Sequence, residues 1–220
     1  MRHRPTITAI EMIQFTEELQ DVGPEPTIGS LIYRPGNTLQ QENHAIKIHT
    51  DSEITGEFVG GFPTDHAAIR TFARSLIGKP ALGRENIFND IKQATRQQAR
   101  MGQGVIDIVL WDIAGKNFGV PVHQLLGGKT REKARVYYHV FGSTREQLLN
   151  GVKEAKLKGF TAVGHLTPFL DEDRNVPYFK THASKMREAI DAVRMYRDAV
   201  GDEVDLCIEI HRRLSPAEAV

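Results

Sequence analysis

Glu209 and His211 stand two residues apart at the end of a short apolar run, residues 204–210 (VDLCIEI). Such a run reads as a strand. Strand side chains alternate, so positions i and i+2 share one side. A carboxylate and an imidazole would then face one space, where a metal ion or a substrate can lie. The carboxylate is a hard oxygen donor suited to Mg²⁺ or Ca²⁺. The imidazole is the side chain best matched to proton transfer near neutral pH. Two more histidines fall at comparable places, His139 near the end of residues 134–140 and His165 near the end of residues 160–166. Any one of these is weak as a signal. Four such residues on three strands form a constellation, although alternation along residues 160–166 points His165 away from the others.

The elements that must position them follow a β-α-β-α-β order. Helical stretches at residues 144–157 and 183–200 separate the three strands, and Ser215-Pro216 opens a further helix with an N-cap and a proline in its first turn. In residues 183–200 the apolar face is assigned to Met186, Ile190, Val193 and Tyr196 or Met195. This order is the pattern of a parallel sheet with right-handed crossovers, whose active side is the C-terminal end of the strands. A long polar segment, residues 167–182, carries Tyr178 and His182.

Upstream, strands are expected at residues 6–15, 44–49 and 54–59, and helices at residues 67–76, 86–99 and 104–118, with Asp65 capping the first helix. Strands followed by helices suggest a small α+β domain. Residues 17–38 are rich in Gly, Pro and polar residues and read as a long loop, of the kind that often serves as a lid. Tyr33 and Arg34 are its residues with binding chemistry. Asp107 and Asp112 interrupt the apolar helix at 104–118, where pairing with an arginine or a helix terminus is the favoured explanation rather than catalysis.

Composition excludes several classes. The 220 residues carry 28 basic and 28 acidic side chains, which gives no electrostatic case for a nucleic-acid or membrane partner. No apolar run approaches the roughly 18 residues of a membrane span, and no apolar signal core follows the basic start; the protein is expected to be cytoplasmic. The single cysteine, Cys207, is expected to be a buried residue of its strand. The phosphate-binding patterns GxGxxG and GxxxxGK[ST] are absent, as is the GxSxG elbow.

Four segments together resemble one family. Residues 104–128 (GVIDIVLWDIAGKNFGVPVHQLLGG) are similar to the helix leading into the barrel in the mandelate racemase and muconate-lactonizing branch of the enolase superfamily. Residues 44–61 (HAIKIHTDSEITGEFVGG) resemble its capping-domain hairpin. Residues 136–146 (VYYHVFGSTRE) and 204–219 (VDLCIEIHRRLSPAEA) resemble the first and third barrel strands of its mannonate- and galactonate-type sugar-acid dehydratases. The resemblance implies an α+β capping domain over residues 1–132, then an α/β modified TIM barrel represented by its first three strands over residues 133–220.

It also implies a chemistry. Members abstract the proton alpha to a carboxylate and hold the resulting enediolate with Mg²⁺. Their first metal carboxylate matches Glu209, where most members carry Asp, and a dehydratase acid matches His211. The Lys-x-Lys of the racemase-like members is replaced by Gly164, His165 and Leu166, which leaves His165 as the base available on that strand. Tyr33, Arg34 and His139 are assigned to substrate binding, and the family's other metal carboxylates are expected beyond Val220. The expected function is Mg²⁺-dependent dehydration of an aldonic or aldaric acid to a 2-keto-3-deoxy acid, in a homo-oligomer whose other partner is the small-molecule substrate. A racemase or epimerase, or a non-catalytic relative with a binding role, are the alternatives.

Overall fold

The computed structural model describes residues 4–24, 31–95, 102–142, 144–169, 180–210 and 214–219, with the backbone alone at 32–35. The chain divides into two compact units, Met1–Glu132 and Lys133–Val220.

The first unit holds β1 (Ile7–Pro24), β2 (Leu31–Thr50) and β3 (Thr55–Val59), antiparallel in that order. The described residues of 17–38 do not form a loop. They extend β1 and β2 into a ribbon on either side of the undescribed residues 25–30. Polar side chains satisfy each other across the ladder: Gln40 donates to Glu18 at 2.9 Å, Asn43 to Glu17 at 2.9 Å and Thr38 to Gln20 at 3.1 Å. Pro24, Pro35 and Gly36 lie within the ribbon strands. A register shift between Gln20 and Val22 centres on Asp21 (φ 57°), whose carboxylate accepts the N–H of Gly36 (φ 80°) at 2.7 Å.

Ile7, Ile46 and Ile48 pack from this sheet into a core with α1 (Pro63–Phe72), α2 (Arg84–Thr95) and α3 (Gln103–Phe118). A 3₁₀ turn, Ala73–Leu76, follows α1. Phe62 occupies the N-cap of α1. Asp65 sits three residues inside, accepting the Phe62 N–H at 2.9 Å, and its second oxygen accepts the Gly102 N–H at 2.8 Å. One carboxylate thus joins the starts of α1 and α3, which corrects its expected place as the cap itself. The acids of α3 are structural. Asp107 pairs at 3.0 Å with Arg84, which stacks 3.3 Å over the centre of Trp111. Asp112 accepts the Glu57 N–H at 2.9 Å and pairs with Lys116 at 2.7 Å. Gly119 (φ 70°) ends α3, and α4 (Val122–Leu125) follows.

The second unit is a parallel sheet of β4 (Tyr138–His139), β5 (Ala162–Leu166) and β6 (Asp205–Ile208), with α5 (Arg145–Leu157), α6 (His182–Val200) and α7 (Pro216–Ala219). β4 is shorter than residues 134–140, because it ladders with β5 at two positions only. Arg135 ties down the chain before it, donating to the Thr161 hydroxyl at 2.9 Å and to Asp205 at 2.6 Å. Thr144 caps α5 through the Gln147 N–H, and Thr181 caps α6 through the Ser184 N–H, each at 3.2 Å. The buried stripe of α6 is Ala189, Ala192, Tyr196 and Val200, while Ile190 is exposed. The small alanines permit close approach, so the stripe differs from the one expected from the largest side chains.

The tightest approach in the first unit is at Gly56, where a Cβ would stand 2.5 Å from the Val109 carbonyl oxygen and 2.6 Å from Ile113 Cγ1. Gly56→Ala is expected to lower the unfolding free energy by about 1–3 kcal/mol through overpacking. At Gly104, on α3, an added Cβ meets nothing within 4 Å. Gly104→Ala is therefore expected to be neutral or stabilising by up to about 1 kcal/mol. Denaturant titration of both variants checks the contrast.

Candidate active site

The parallel sheet has two unlike faces. Tyr138, Val140, Val163, Leu166, Leu206 and Ile208 belong to the core formed with α5 and α6. Alternation therefore turns Tyr137, His139, Cys207 and Glu209 to the opposite face. Cys207 is exposed there rather than buried, since its neighbours Leu206 and Ile208 take the helix-facing positions.

His165 reaches that face by a break in the alternation. The β5–β6 register shifts between Val163 and Leu166, and His165 adopts φ 63°, a region that non-glycine residues seldom enter. Both Val163 and Leu166 remain in the core, and the two residues between them turn outward. The His165 ring lies edge-on to His139, with centroids 4.2 Å apart. The position beside it has no space: a Cβ on Gly164 would lie 2.5 Å from the Tyr137 ring and 3.2 Å from Cys207 Cβ. Phe141, not singled out in the sequence, packs against His139 at 4.5 Å and His165 at 5.6 Å between ring centroids. Its spacing of two from His139 was the available signal.

Glu209 follows β6 and extends its ladder, donating its N–H to the Leu166 carbonyl at 2.9 Å. It lies close enough to act on His139. His139 is exposed as a residue, yet partial desolvation of its ring, followed by the adjacent His165, lowers the imidazole below its ordinary value, and the Glu209 carboxylate opposes them. His139, His165, Phe141 and Glu209 are thereby gathered at the C-terminal ends of β4, β5 and β6. His211 and Tyr178 lie outside the described residues. His182 begins α6 and meets Glu218 of α7 at 3.4 Å, so its partner is another helix start. Tyr33 and Arg34 lie on β2 in the first unit rather than in a loop, and their side chains are outside the described part.

As a metal centre the described residues are incomplete. Mg²⁺ requires near-octahedral oxygen coordination. Glu209 supplies one carboxylate on the site face, and among the described residues no group of three His, Cys, Asp or Glu side chains is arranged to hold a metal. Also among the described residues, no helix is long and apolar enough to cross a membrane.

An antiparallel sheet with packed helices, followed by parallel β/α units carrying polar groups at their strand ends, defines a capping domain and the first three strands of a modified TIM barrel. Residues 37–127 match the mandelate racemase/muconate lactonizing enzyme N-terminal domain. Over those residues the chain resembles the mandelate racemase/muconate lactonizing enzyme branch of the enolase superfamily. It is 32% identical over 163 residues to D-gluconate dehydratase of Thermoproteus tenax, covering 70% of this chain and 31% of that protein. It is 28% identical over 208 residues to a D-mannonate dehydratase of Caulobacter sp., covering 79% and 50%. The chain thus spans half or less of the length of these curated relatives. Among solved structures it resembles D-glucarate dehydratase of Agrobacterium tumefaciens complexed with magnesium, with a TM-score of 0.74 and 22% identity over 99% of this chain and 57% of that one.

The His139 environment gives a measurable sign. A folded-state value below the unfolded value of 6.5 means that the unfolded chain binds the proton more readily. This contribution to stability is full above the unfolded value and is lost as pH falls below it toward the folded value. Ring NMR of the protein should show His139 titrating below an ordinary imidazole. His165→Asn, which keeps a residue tolerant of positive φ, should raise that midpoint, and Glu209→Gln should lower it further.

Proposed function

We propose that the whole protein is a Mg²⁺-dependent dehydratase of a sugar acid, converting an aldonate or aldarate to a 2-keto-3-deoxy acid. The carrying observation is the gathering of a hard oxygen donor, Glu209, and an imidazole base, His165, on one face of the strand ends. It occurs in a chain whose curated relatives are named as sugar-acid dehydratases.

In this reading Glu209 is one of the metal's ligands, and further oxygen donors complete the set. When bound, the ion supplies positive charge beside the substrate carboxylate and so makes the adjacent C2 proton more acidic. His165 accepts that proton. His211, two residues along from Glu209, gives a proton to the departing C3 hydroxyl, which leaves as water. Tyr33 and Arg34 are assigned to the substrate's distal end. The racemase alternative has less support. It needs a second base on the opposite side of the substrate, and β5 offers only Gly164, which has no room for a side chain, and Leu166, which is buried in the core.

The test is a screen of the full-length protein against aldonic and aldaric acids, read as 2-keto-3-deoxy acid formation with and without Mg²⁺. One or a few stereoisomers should be converted. His211→Asn should lower kcat by about 10²- to 10⁴-fold, and Glu209→Gln should weaken Mg²⁺ binding by calorimetry. Conversion of no acid, together with no Mg²⁺ binding, would favour the non-catalytic relative; an undiminished rate in His211→Asn would remove that residue from the reaction.

A further inference from the structure

We propose that His139, on β4, is a positioning residue for His165 rather than a substrate ligand, and that β5 is built to deliver the His165 imidazole against it as the base of the site. The proposal rests on the dehydratase reading and adds to it how the base is held.

Three observations carry it. The backbone of β5 is turned into the left-handed region at a histidine, φ 63°, and the register shift there is what brings the side chain onto the site face. The preceding residue is the one type that fits: any side chain at 164 would run into Tyr137 and Cys207. Position 165 therefore carries the proton-accepting group of this strand. Finally, the ring has a partner. His139 meets it edge-on at 4.2 Å, and Phe141 touches both rings from the end of β4. His139 also meets Tyr137, with ring centroids 5.9 Å apart, so three rings of the protein, at residues 137, 141 and 165, pack against it.

The step served by the pair balances without a further reagent. The C2–H bond breaks and its proton goes to a His165 ring nitrogen, leaving the electron pair on the substrate beside its carboxylate. That pair forms the C2–C3 double bond as the C3–O bond breaks, and the departing oxygen takes a proton from His211 to leave as water. The enol then tautomerises to the 2-keto acid. His165 returns its proton to solvent and His211 regains one.

The experiment uses the full-length protein and compares His139→Phe with His139→Ala. Phenylalanine keeps an aromatic ring against His165 and removes the nitrogens. His139→Ala should lose about 10²-fold in kcat, with KM within about twofold, as misplacement of a reacting group does, and His139→Phe should recover at least about tenfold of that loss. His165→Asn should abolish exchange of the C2 hydrogen with solvent deuterium. Undiminished kcat in His139→Ala, wild-type exchange in His165→Asn, or a raised KM in His139→Phe with no rescue of kcat would each overturn the proposal. Thermal melts separate lost folding from lost activity. Independently of turnover, the His165 ring resonance should move in His139→Ala and be restored toward its original position in His139→Phe. An unmoved resonance in His139→Ala overturns the positioning role even if no sugar acid is converted, an outcome that would count separately against the dehydratase reading.

Discussion

Val163 and Leu166 are three residues apart, yet both pack into the core beneath the parallel sheet. In a regular strand they would face opposite sides. The site on the other face depends on how this is reconciled, by one residue taken up in a bulge with His165 at φ 63°. Such a conformation at a non-glycine residue costs on the order of 1–3 kcal/mol. It persists because the strand is held on both edges: the Val140 N–H donates to the Gly164 carbonyl at 3.1 Å, and the Glu209 N–H donates to the Leu166 carbonyl at 2.9 Å. Burial of Val163 and Leu166 fixes the two ends of the bulge, and the residues between them have only one side to go to. Two adjacent side chains on one face would crowd the neighbouring strands, and Gly164 removes that conflict.

The first unit handles its polar groups differently. Asp65, Asp107 and Asp112 each have a local structural use, at helix starts, on an arginine stacked over Trp111, or on the N–H of Glu57 beside a lysine. Their oxygens are already engaged by donors that hold helices to one another or to the sheet. Acids so employed are poor candidates for chemistry, since moving a proton would release a structural contact. At the strand ends of the second unit His139, Phe141 and His165 contact one another, and that contrast points to the candidate site better than the count of titratable residues does.

Much of this was legible in the sequence. The β-α-β-α-β order, the apolar helix α3 and the structural use of Asp107 and Asp112 follow from periodicity and from the high cost of burying an unpaired acid. The misreadings share a cause, which is dependence on partners remote in sequence. Residues 17–38 carry loop-forming residues, but Leu19 faces Leu39, and Glu17 and Glu18 meet Asn43 and Gln40 across the ladder. Pairs formed at such separation leave no local trace. Cys207 was read by the apolarity of its strand, whereas its exposure is set by which neighbours face the helices. In α6 the residues that bury are those small enough for close packing, and Ile190 is left outside. The bulge at His165 had one local hint, the glycine before it, and strict alternation gave the opposite orientation.

A backbone hydrogen bond joins the two halves of the site. The carbonyl that receives the Glu209 N–H belongs to Leu166, the residue directly after His165. The backbone turn that aims the imidazole therefore also sets the height at which the carboxylate leaves β6. If β5 relaxed to regular alternation, His165 would swing toward the helices, Leu166 would leave the core, and the anchor of Glu209 would shift with it. Both groups are thus placed by one local conformation, and the electrostatic coupling already visible at His139, lowered by partial desolvation and His165 and raised by Glu209, is its consequence.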